Sequence, residues 1–339
     1  MSQGKTGVLI VNQGTPDSPE TPDVRKYLRE FLMDERVIDI PYIGRWLLVN
    51  GIIATFRAPK SAKEYKKLWE ERGSPLKFHL SDVRDLLQNA LGDDYHVAFG
   101  MRYQSPSLET ALNELKDANV KRIIVIPLFP QYASATTGSV NQKVGEIVNK
   151  WQIIPSITHI NQFMDHPKFI EAFAAKGREF LDKKEYDHIV FSYHGVPERH
   201  IKKGSVGDQC KLGNCCNALH DKNRYCYRAQ CFHTTRLLAK ELGLKEEQYT
   251  TTFQSRLGKD PWVQPYTDVV LKDLPGEGKK KVLAYSPAFI ADCLETTLEV
   301  GEEFKEEFEE AGGEVWDLVP SLNTSELWIE CLKDLVETA

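Results

Sequence analysis

This 339-residue chain has no excess of positive charge: 43 basic side chains stand against 49 acidic ones, and neither half carries a basic stripe. No nucleic-acid partner is therefore expected. Long apolar runs are also missing. The most hydrophobic stretch, PYIGRWLLVNGIIATF from Pro41 to Phe56, is broken by Gly44, Arg45, Asn50 and Gly51. It falls short of the roughly 20 residues needed to cross a bilayer, so it can lie on a membrane but not span one. The glycine fingerprint of a dinucleotide site is missing too. NQGTP, at Asn12 to Pro16, lacks the second and third glycines of G-x-G-x-x-G, and no P-loop lysine follows, so no nucleotide cofactor is expected. Met1 to Lys5 runs straight into GVLIVN without the charged and apolar regions of a secretory signal, which points to a cytoplasmic protein.

What the chain does have is an uneven distribution of cysteine. Five of its seven cysteines, Cys210, Cys215, Cys216, Cys226 and Cys231, fall in DQCKLGNCCNALHDKNRYCYRAQC, from Asp208 to Cys231. In a reducing compartment such a group reads as metal or cluster ligands before it reads as disulfides. Zinc held with His220 or His233 and plain free thiols are the competing readings, although the usual C-x₂-C pairs of zinc sites are lacking.

Short β-branched runs recur, each followed by turn residues and then a helical pattern. GVLIVNQGTP, YHVAFGMRYQSP, KRIIVIPLFPQY and QIIPSITHI occupy the first half; HIVFSYHGVP, YTTTFQSRLG, KVLAYSPAFI and EVWDLVPSL occupy the second. Four βαβ-type strands followed by four more predict a duplicated α/β architecture, with domains at 1–163 and 164–339 and the cysteine segment 204–231 inserted in the second. Ligands of open parallel sheets bind beyond the carboxyl ends of the strands. Those ends present Asn12 and Gln13, Arg102 and Tyr103, Gln131 to Ser139, His194, Gln254 and Arg256, and Phe289 to Glu295. A cleft between two such sheets would collect them.

Some of these groups suit particular chemistry. His194 ends an apolar strand and precedes a glycine that permits close approach, a setting for a proton-exchanging histidine. Glu295, Glu299 and Glu303 are spaced four apart, so in a helix they share one face. Like charges so placed are unfavourable; either they form a solvated acidic face or, led by Asp292, they hold or conduct a cation. FRAPKSAKEYKKLWEERGSPL supplies Arg57, Lys60, Tyr65 and Ser74. Read alone it is a basic helix in water. Beside the apolar 41–56 segment it becomes an oily lip with cationic and hydroxyl donors, suited to a large flat molecule bearing carboxylates or to a membrane face.

The pieces NQGTPDSPE, FRAPKSAKEY with GSPL, GMRYQSP, PQYASATTGS, SYHGVPERH, TTFQSRLGKDPWVQPYTD and AD-x-x-ET occur in one order along the chain. In that order and spacing the sequence resembles the ferrochelatases, which insert ferrous iron into a porphyrin to make haem. The resemblance covers nearly the whole length. It implies the chelatase fold: two similar Rossmann-like α/β domains, each a four-stranded parallel sheet flanked by helices. It implies a lyase acting on protoporphyrin IX with Fe2+ as substrate, His194 as the base for the pyrrole protons, and Glu295 as the acid facing it. Asp292, Glu299 and Glu303 match the family's acidic line, viewed as a metal or proton path. Arg102, Tyr103 and Phe289 match cleft-lining residues, and Arg57, Lys60, Tyr65 and Ser74 match the lip and propionate contacts. Gln13 falls among the porphyrin-facing positions, at one that varies between relatives, and carries no assigned role.

Two departures stand out. Cys293 replaces a histidine common in the family, and Ser134 replaces a cysteine that some relatives use for a cluster. The inserted segment instead resembles that of bacterial ferrochelatases holding a [2Fe-2S] cluster internally. Four thiolates are needed and five are present, so either one of the adjacent Cys215 and Cys216 or else Cys231 is spare. Coproporphyrin III ferrochelatase and sirohydrochlorin chelatase are the alternative activities; a haem- or iron-sensing Fe-S protein is the alternative of another class. A peripheral position on the inner face of the cytoplasmic membrane, through 41–56, is expected. Oligomeric state has no signal in the sequence.

Overall fold

Each of the eight β-branched runs is a strand in the computed structural model, which describes residues 4–207, 209–258 and 260–339. Met1, Asp208 and Lys259, which begin or interrupt sequence motifs above, lie outside the described residues. Strands β1 (Thr6–Gly14), β2 (Tyr95–Tyr103), β3 (Arg122–Pro127) and β4 (Ser156–His159) form a parallel sheet ordered β2-β1-β3-β4. Strands β5 (His188–His194), β6 (Tyr249–Gln254), β7 (Lys281–Tyr285) and β8 (Val315–Leu318) repeat that order as β6-β5-β7-β8. The expected fold class is borne out: two four-stranded parallel sheets flanked by helices. The central strands are buried along almost their whole length, with Val8 to Val11 and Ile189 to Tyr193 at most 3% exposed, which is why they read as continuous apolar runs without alternation.

The chain divides into two compact units. One comprises 1–129, 134–161 and 329–339; the other comprises 130–133 and 162–328. In the first, Leu9, Val11, Ile123 and Val125 pack with Leu112 and Leu115 of helix Leu108–Asp117 and Val140 and Val144 of helix Ser139–Val148. In the second, Val282 and Ala284 pack with Leu271, Phe304, Phe308 and Trp316.

Each unit finishes its second strand in the same way. Gln104 and Ser255 take left-handed conformations (φ 67° and 64°), and the loop then returns to bridge its own strand, Met101 with Ser107 and Phe253 with Tyr266. Each unit also places a π-helix after its third strand, Ser134–Gly138 and Leu294–Glu303. A further π-helix, Leu47–Ile53, interrupts the 41–56 segment between helices Tyr42–Trp46 and Ala54–Phe56. Among the described residues no helix is long and apolar enough to cross a membrane.

Candidate active site

In the second unit the site grows from the carboxyl ends of β5 and β6. His194 pairs with Gln254 as the last residues of the two strands. The glycine after it is required: a Cβ on Gly195 would lie 2.8 Å from the Gln254 carbonyl and 3.1 Å from the Trp262 ring. The Gly195 amide donates to the Gln254 carbonyl at 2.8 Å, which draws the chain into that contact. His194 Nδ1 lies 2.6 Å from the Gly195 carbonyl oxygen. A carbonyl only accepts, so Nδ1 carries the proton and a neutral imidazole keeps its lone pair on Nε2. The half-buried ring sits 6.3 Å from the Phe289 ring and 6.4 Å from Trp262, measured between centroids. His194 therefore presents a base nitrogen from an aromatic wall, and Phe289 is part of that wall.

The acidic residues follow β7. Glu295 and Glu299 are half-buried near the start and middle of the π-helix, whereas Glu303 at its end is exposed. Four-residue spacing suits the 3.6-residue period of an α-helix, but the segment closes i to i+5 bonds instead, a form often found at functional sites. Glu299 Oε2 accepts from Ser255 Oγ at 2.5 Å and Gln254 Nε2 at 3.1 Å. Burial raises its carboxyl above the ordinary value, with Ser255, the charge of His194 and Gln254 pulling the other way and Glu295 adding to the rise. It is thus a carboxyl that takes up a proton easily and lies in the electrostatic reach of His194 and Glu295. Gln254 also donates to the Glu295 carbonyl at 2.8 Å and accepts from Ser192 Oγ at 2.7 Å, linking β5, β6 and the acidic helix.

Asp292 does not open this column. Its carboxylate accepts from the Ser321 amide at 3.0 Å and Asn323 Nδ2 at 2.6 Å, so it pins the loop after β8. Cys293, at the family's histidine position, is buried, and burial holds its thiol well above the ordinary value. It is a capping thiol for the π-helix.

In the first unit the cationic residues singled out are Arg57, Lys60 and Arg102. Arg57 and Lys60 are exposed at the junction of helices Ala54–Phe56 and Ala58–Leu68. Gln13 is half-buried at the end of β1. Arg102, next to last in β2, is largely buried and bound: Nη2 lies 2.7 Å from Asp34 Oδ2 and Nε donates to Ser139 Oγ at 2.6 Å. Tyr103, read from the sequence as cleft-lining, lies against Arg102, whose guanidinium carbon sits 4.5 Å from the centre of its ring. It is 1% exposed, and its hydroxyl donates to the same Asp34 oxygen at 2.9 Å. Ser74 is likewise buried, its hydroxyl accepting from Thr15 at 2.9 Å, and Tyr65 packs its ring edge-on to Tyr27. All three side chains are buried, in contrast to the exposed Arg57 and Lys60.

Asp34 had no sequence signal. Its carboxylate also takes the Ser139 hydroxyl at 2.5 Å and the Arg36 amide at 2.8 Å. Burial alone would raise its carboxyl, but Ser139, the Arg36 amide, the Arg102 charge and Tyr103 outweigh it, and Asp34 is held below the ordinary value. Ser134, standing for the missing distant cysteine, instead accepts from Arg36 Nη1 at 2.9 Å.

The cysteine segment lies in the second unit. Cys215 and Cys216 place their sulfurs 4.0 Å apart, although successive side chains usually diverge, because a 3₁₀ turn at Asn214–Cys216 bends the backbone there. Cys216 hydrogen-bonds Cys226, which pushes the Cys216 thiol up and holds the Cys226 thiol below its ordinary value. Cys210, Cys215 and Cys226 line one cavity together with His220. Cys231 stands apart in helix Tyr227–Glu241, fully buried and hydrogen-bonded to Tyr227. Among the described residues, no three His, Cys, Asp or Glu side chains are grouped to hold a metal ion.

Residues 5–339 match the ferrochelatase family model. The chain belongs to the ferrochelatase family. It is 47% identical over 332 residues to the ferrochelatase of Legionella pneumophila (strain Lens), covering 98% of each chain. It is 43% identical over 337 residues to that of Coxiella burnetii (strain Dugway 5J108-111), covering 99% of this chain and 94% of the relative. Among solved structures, SirB from Bacillus subtilis with Fe3+ superposes with a TM-score of 0.56 over 98% of this chain and 94% of its own. At 9% identity that likeness speaks for the fold alone. A ferrochelatase is a metal chelatase of haem biosynthesis, so a base and a set of oxygen ligands are what the fold must deliver.

Proposed function

We propose that this ferrochelatase inserts Fe2+ into protoporphyrin IX to form protohaem, with His194 as base and Glu295 and Glu299 as the acidic partners. Metallation exchanges two pyrrole N–H protons for one Fe2+, so two protons must leave as two Fe–N bonds to the former N–H nitrogens form. The observation that carries the reading is the Nδ1–H to Gly195 carbonyl bond, which leaves Nε2 of His194 as the acceptor. Glu299, with its raised carboxyl, is suited to take the proton onward, and carboxylates bind Fe2+ weakly enough to release it. Arg57 and Lys60 offer exposed cations suited to the porphyrin's propionates. The test is metallation by purified His194→Ala with Fe2+ and, in turn, protoporphyrin IX, coproporphyrin III and sirohydrochlorin. Wild type should prefer protoporphyrin IX, and the variant should lose about 10²- to 10⁴-fold in turnover. Turnover undiminished in the variant removes His194 from the mechanism; preference for another tetrapyrrole replaces the substrate.

The cysteine segment fits a [2Fe-2S] cluster held by Cys210, Cys215, Cys216 and Cys226, with Cys231 as the spare thiol. Such a cluster needs two thiolates per iron and no group of three around one ion. Cys210 neighbours Cys215, Cys215 lies beside Cys216, and Cys216 bonds Cys226, so four sulfurs follow one another, while Cys231 is occupied by Tyr227. When bound, the cluster would supply one-electron redox chemistry and a staple across the insertion. Peripheral membrane contact is assigned to the 41–56 segment, where Tyr42, Ile43, Trp46, Leu47, Ile52 and Phe56 are exposed beside Arg57 and Lys60.

A further inference from the structure

The strand that ends in His194 outruns its neighbour. Pairing of β5 with β7 stops at Phe191 and Tyr285, three residues before the histidine, and from there β6 alone continues beside it. What holds the free side is a side chain from the helix that leaves the cysteine segment. Tyr227, the first residue of helix Tyr227–Glu241, is buried and donates its hydroxyl to the His194 carbonyl at 2.7 Å. The backbone at 194–195 is thus gripped from two sides, by Tyr227 on the His194 carbonyl and by Gln254 on the Gly195 amide. The Gly195 carbonyl in turn fixes the imidazole. A shift of the histidine carbonyl would rotate the peptide that sets the ring.

Tyr227 is itself anchored through the cysteine segment. Cys226 is the N-cap of its helix, and the Cys226 amide donates to Asn223 at 2.8 Å. The Asn223 side chain donates to the carbonyls of Cys215 and Ala218 at 2.9 and 2.8 Å. Arg228 reaches the Gly213 carbonyl at 3.4 Å with one arm and the Gln264 carbonyl at 3.0 Å with another. The N-terminus of the helix is tied to the loop carrying Cys210, Cys215 and Cys216.

We propose that Tyr227 is a positioning residue for the His194 base, and that it couples the state of the cysteine segment to the setting of that imidazole. The first half stands on the hydrogen bond alone; the second rests on the proposed cluster. Closing or opening a link at Cys226 moves the helix start by its own N-cap, and the phenolic hydroxyl moves with it. The insertion then acts as a restraint on the base, tightened when the thiolates are joined.

The test uses the full-length protein as purified, Tyr227→Phe and Cys226→Ser, with iron content and visible absorption measured on each. Tyr227→Phe keeps the ring and its burial. It should lower kcat about tenfold with little change in KM for porphyrin, since a misplaced base loses part of its advantage without loss of binding contacts. Visible absorption should be unchanged. The second readout is the pH titration of the His194 ring by NMR, assigned by its disappearance in His194→Ala. It should shift in both Tyr227→Phe and Cys226→Ser, and the double variant should shift no further than either. Wild-type kcat and an unmoved His194 titration in Tyr227→Phe would overturn the positioning role. If Tyr227→Phe moves the titration and Cys226→Ser does not, the coupling is overturned and the positioning role stands. Wild-type protein without iron or colour would remove the cluster, and the Tyr227→Phe comparison would still decide the positioning role. Should Tyr227→Phe not fold, comparison of the wild-type His194 titration before and after reduction with dithionite takes its place, and an identical curve overturns the coupling.

Discussion

Asp34 is the residue on which the first unit's strand end most depends, and its replacement has a calculable cost. Its side chain is 6% exposed and that of its partner Arg102 15%, so the pair is screened from solvent. Three side-chain donors, Ser139, Arg102 and Tyr103, converge on the same oxygen at 2.5, 2.7 and 2.9 Å. Removing one partner of a buried pair costs about 3–5 kcal/mol, because the other charge remains buried and unpaired. Asp34→Ala should fall in that range. Asp34→Asn keeps the shape and an acceptor oxygen but loses the charge, and about 2–3 kcal/mol is expected, on the scale of a hydrogen bond to a charged group plus partial loss of the pair. The pH dependence fixes the sign. Asp34's carboxyl is held below its ordinary value of 3.8 in the folded protein. Its contribution is therefore full above that value and is lost as pH falls through the lower folded one. Denaturant unfolding at pH 7 should show the deficit in Asp34→Asn, and the gap with wild type should hold as pH falls to about 3.8 and narrow below it. A deficit under about 0.5 kcal/mol at pH 7, the size of an ordinary surface substitution, would refute the network's importance, as would a gap indifferent to pH.

Glu299 should behave in the opposite sense: its carboxyl is raised on folding, so stability is full below 4.5 and is lost as pH rises through the folded value. Glu299→Gln should therefore be more stable than wild type at pH 7, with the gain vanishing in acid, while turnover falls; equal stability at both pH values would contradict the burial argument. For the exposed segment, Ile43→Ser with Phe56→Ser, both 75% exposed, should cut binding to anionic vesicles by about tenfold or more, at about 1.5–3 kcal/mol per inserted apolar side chain, and leave Tm unchanged. Binding that survives the double change removes the membrane reading. In the cysteine segment, Cys226→Ser should bleach the purified protein and Cys231→Ser should not; the reverse would exchange their assignments.

Much of this architecture was legible because local signals and tertiary demands agree. Buried parallel strands must be continuous and apolar, and the central ones announce themselves that way, as in GVLIV, RIIVIP and HIVFSY. His194 was legible for the same reason, since a polar residue ending such a strand is conspicuous. Features that arise between distant parts of the chain were not. Asp34 meets partners 68, 69 and 105 positions away, and nothing in FLMDERVIDIP distinguishes it from a loop aspartate. The π-helix was hidden because glutamates four apart share a face in either helical form. Tyr103 joins Arg102 on Asp34, a meeting that strand alternation alone does not announce. Tyr227 was hidden among cysteines that drew the eye to metal chemistry.

The duplication explains why those hidden residues matter. Both units use one sheet order, one left-handed residue after the second strand and one π-helix after the third, so the scaffold alone does not separate their roles. The difference lies in which side chains occupy equivalent loops. After the second strand, Gln104 in the first unit bonds Glu30, while Ser255 in the second holds Glu299. After the third strand, SATTG offers only hydroxyls, whereas LETTLEVGEE offers carboxylates. Arg102 is neutralised within its own unit by Asp34, whereas Glu299 is met by a hydroxyl and a side-chain amide within the field of His194. A carboxylate quenched by arginine stays ionised and holds a shape; a buried carboxylate hydrogen-bonded to a hydroxyl and an amide, its carboxyl raised by burial, stays poised to take a proton. On that basis the two copies of one fold differ in charge state at equivalent loops: an ion pair locks the first, and a raised carboxyl marks the second.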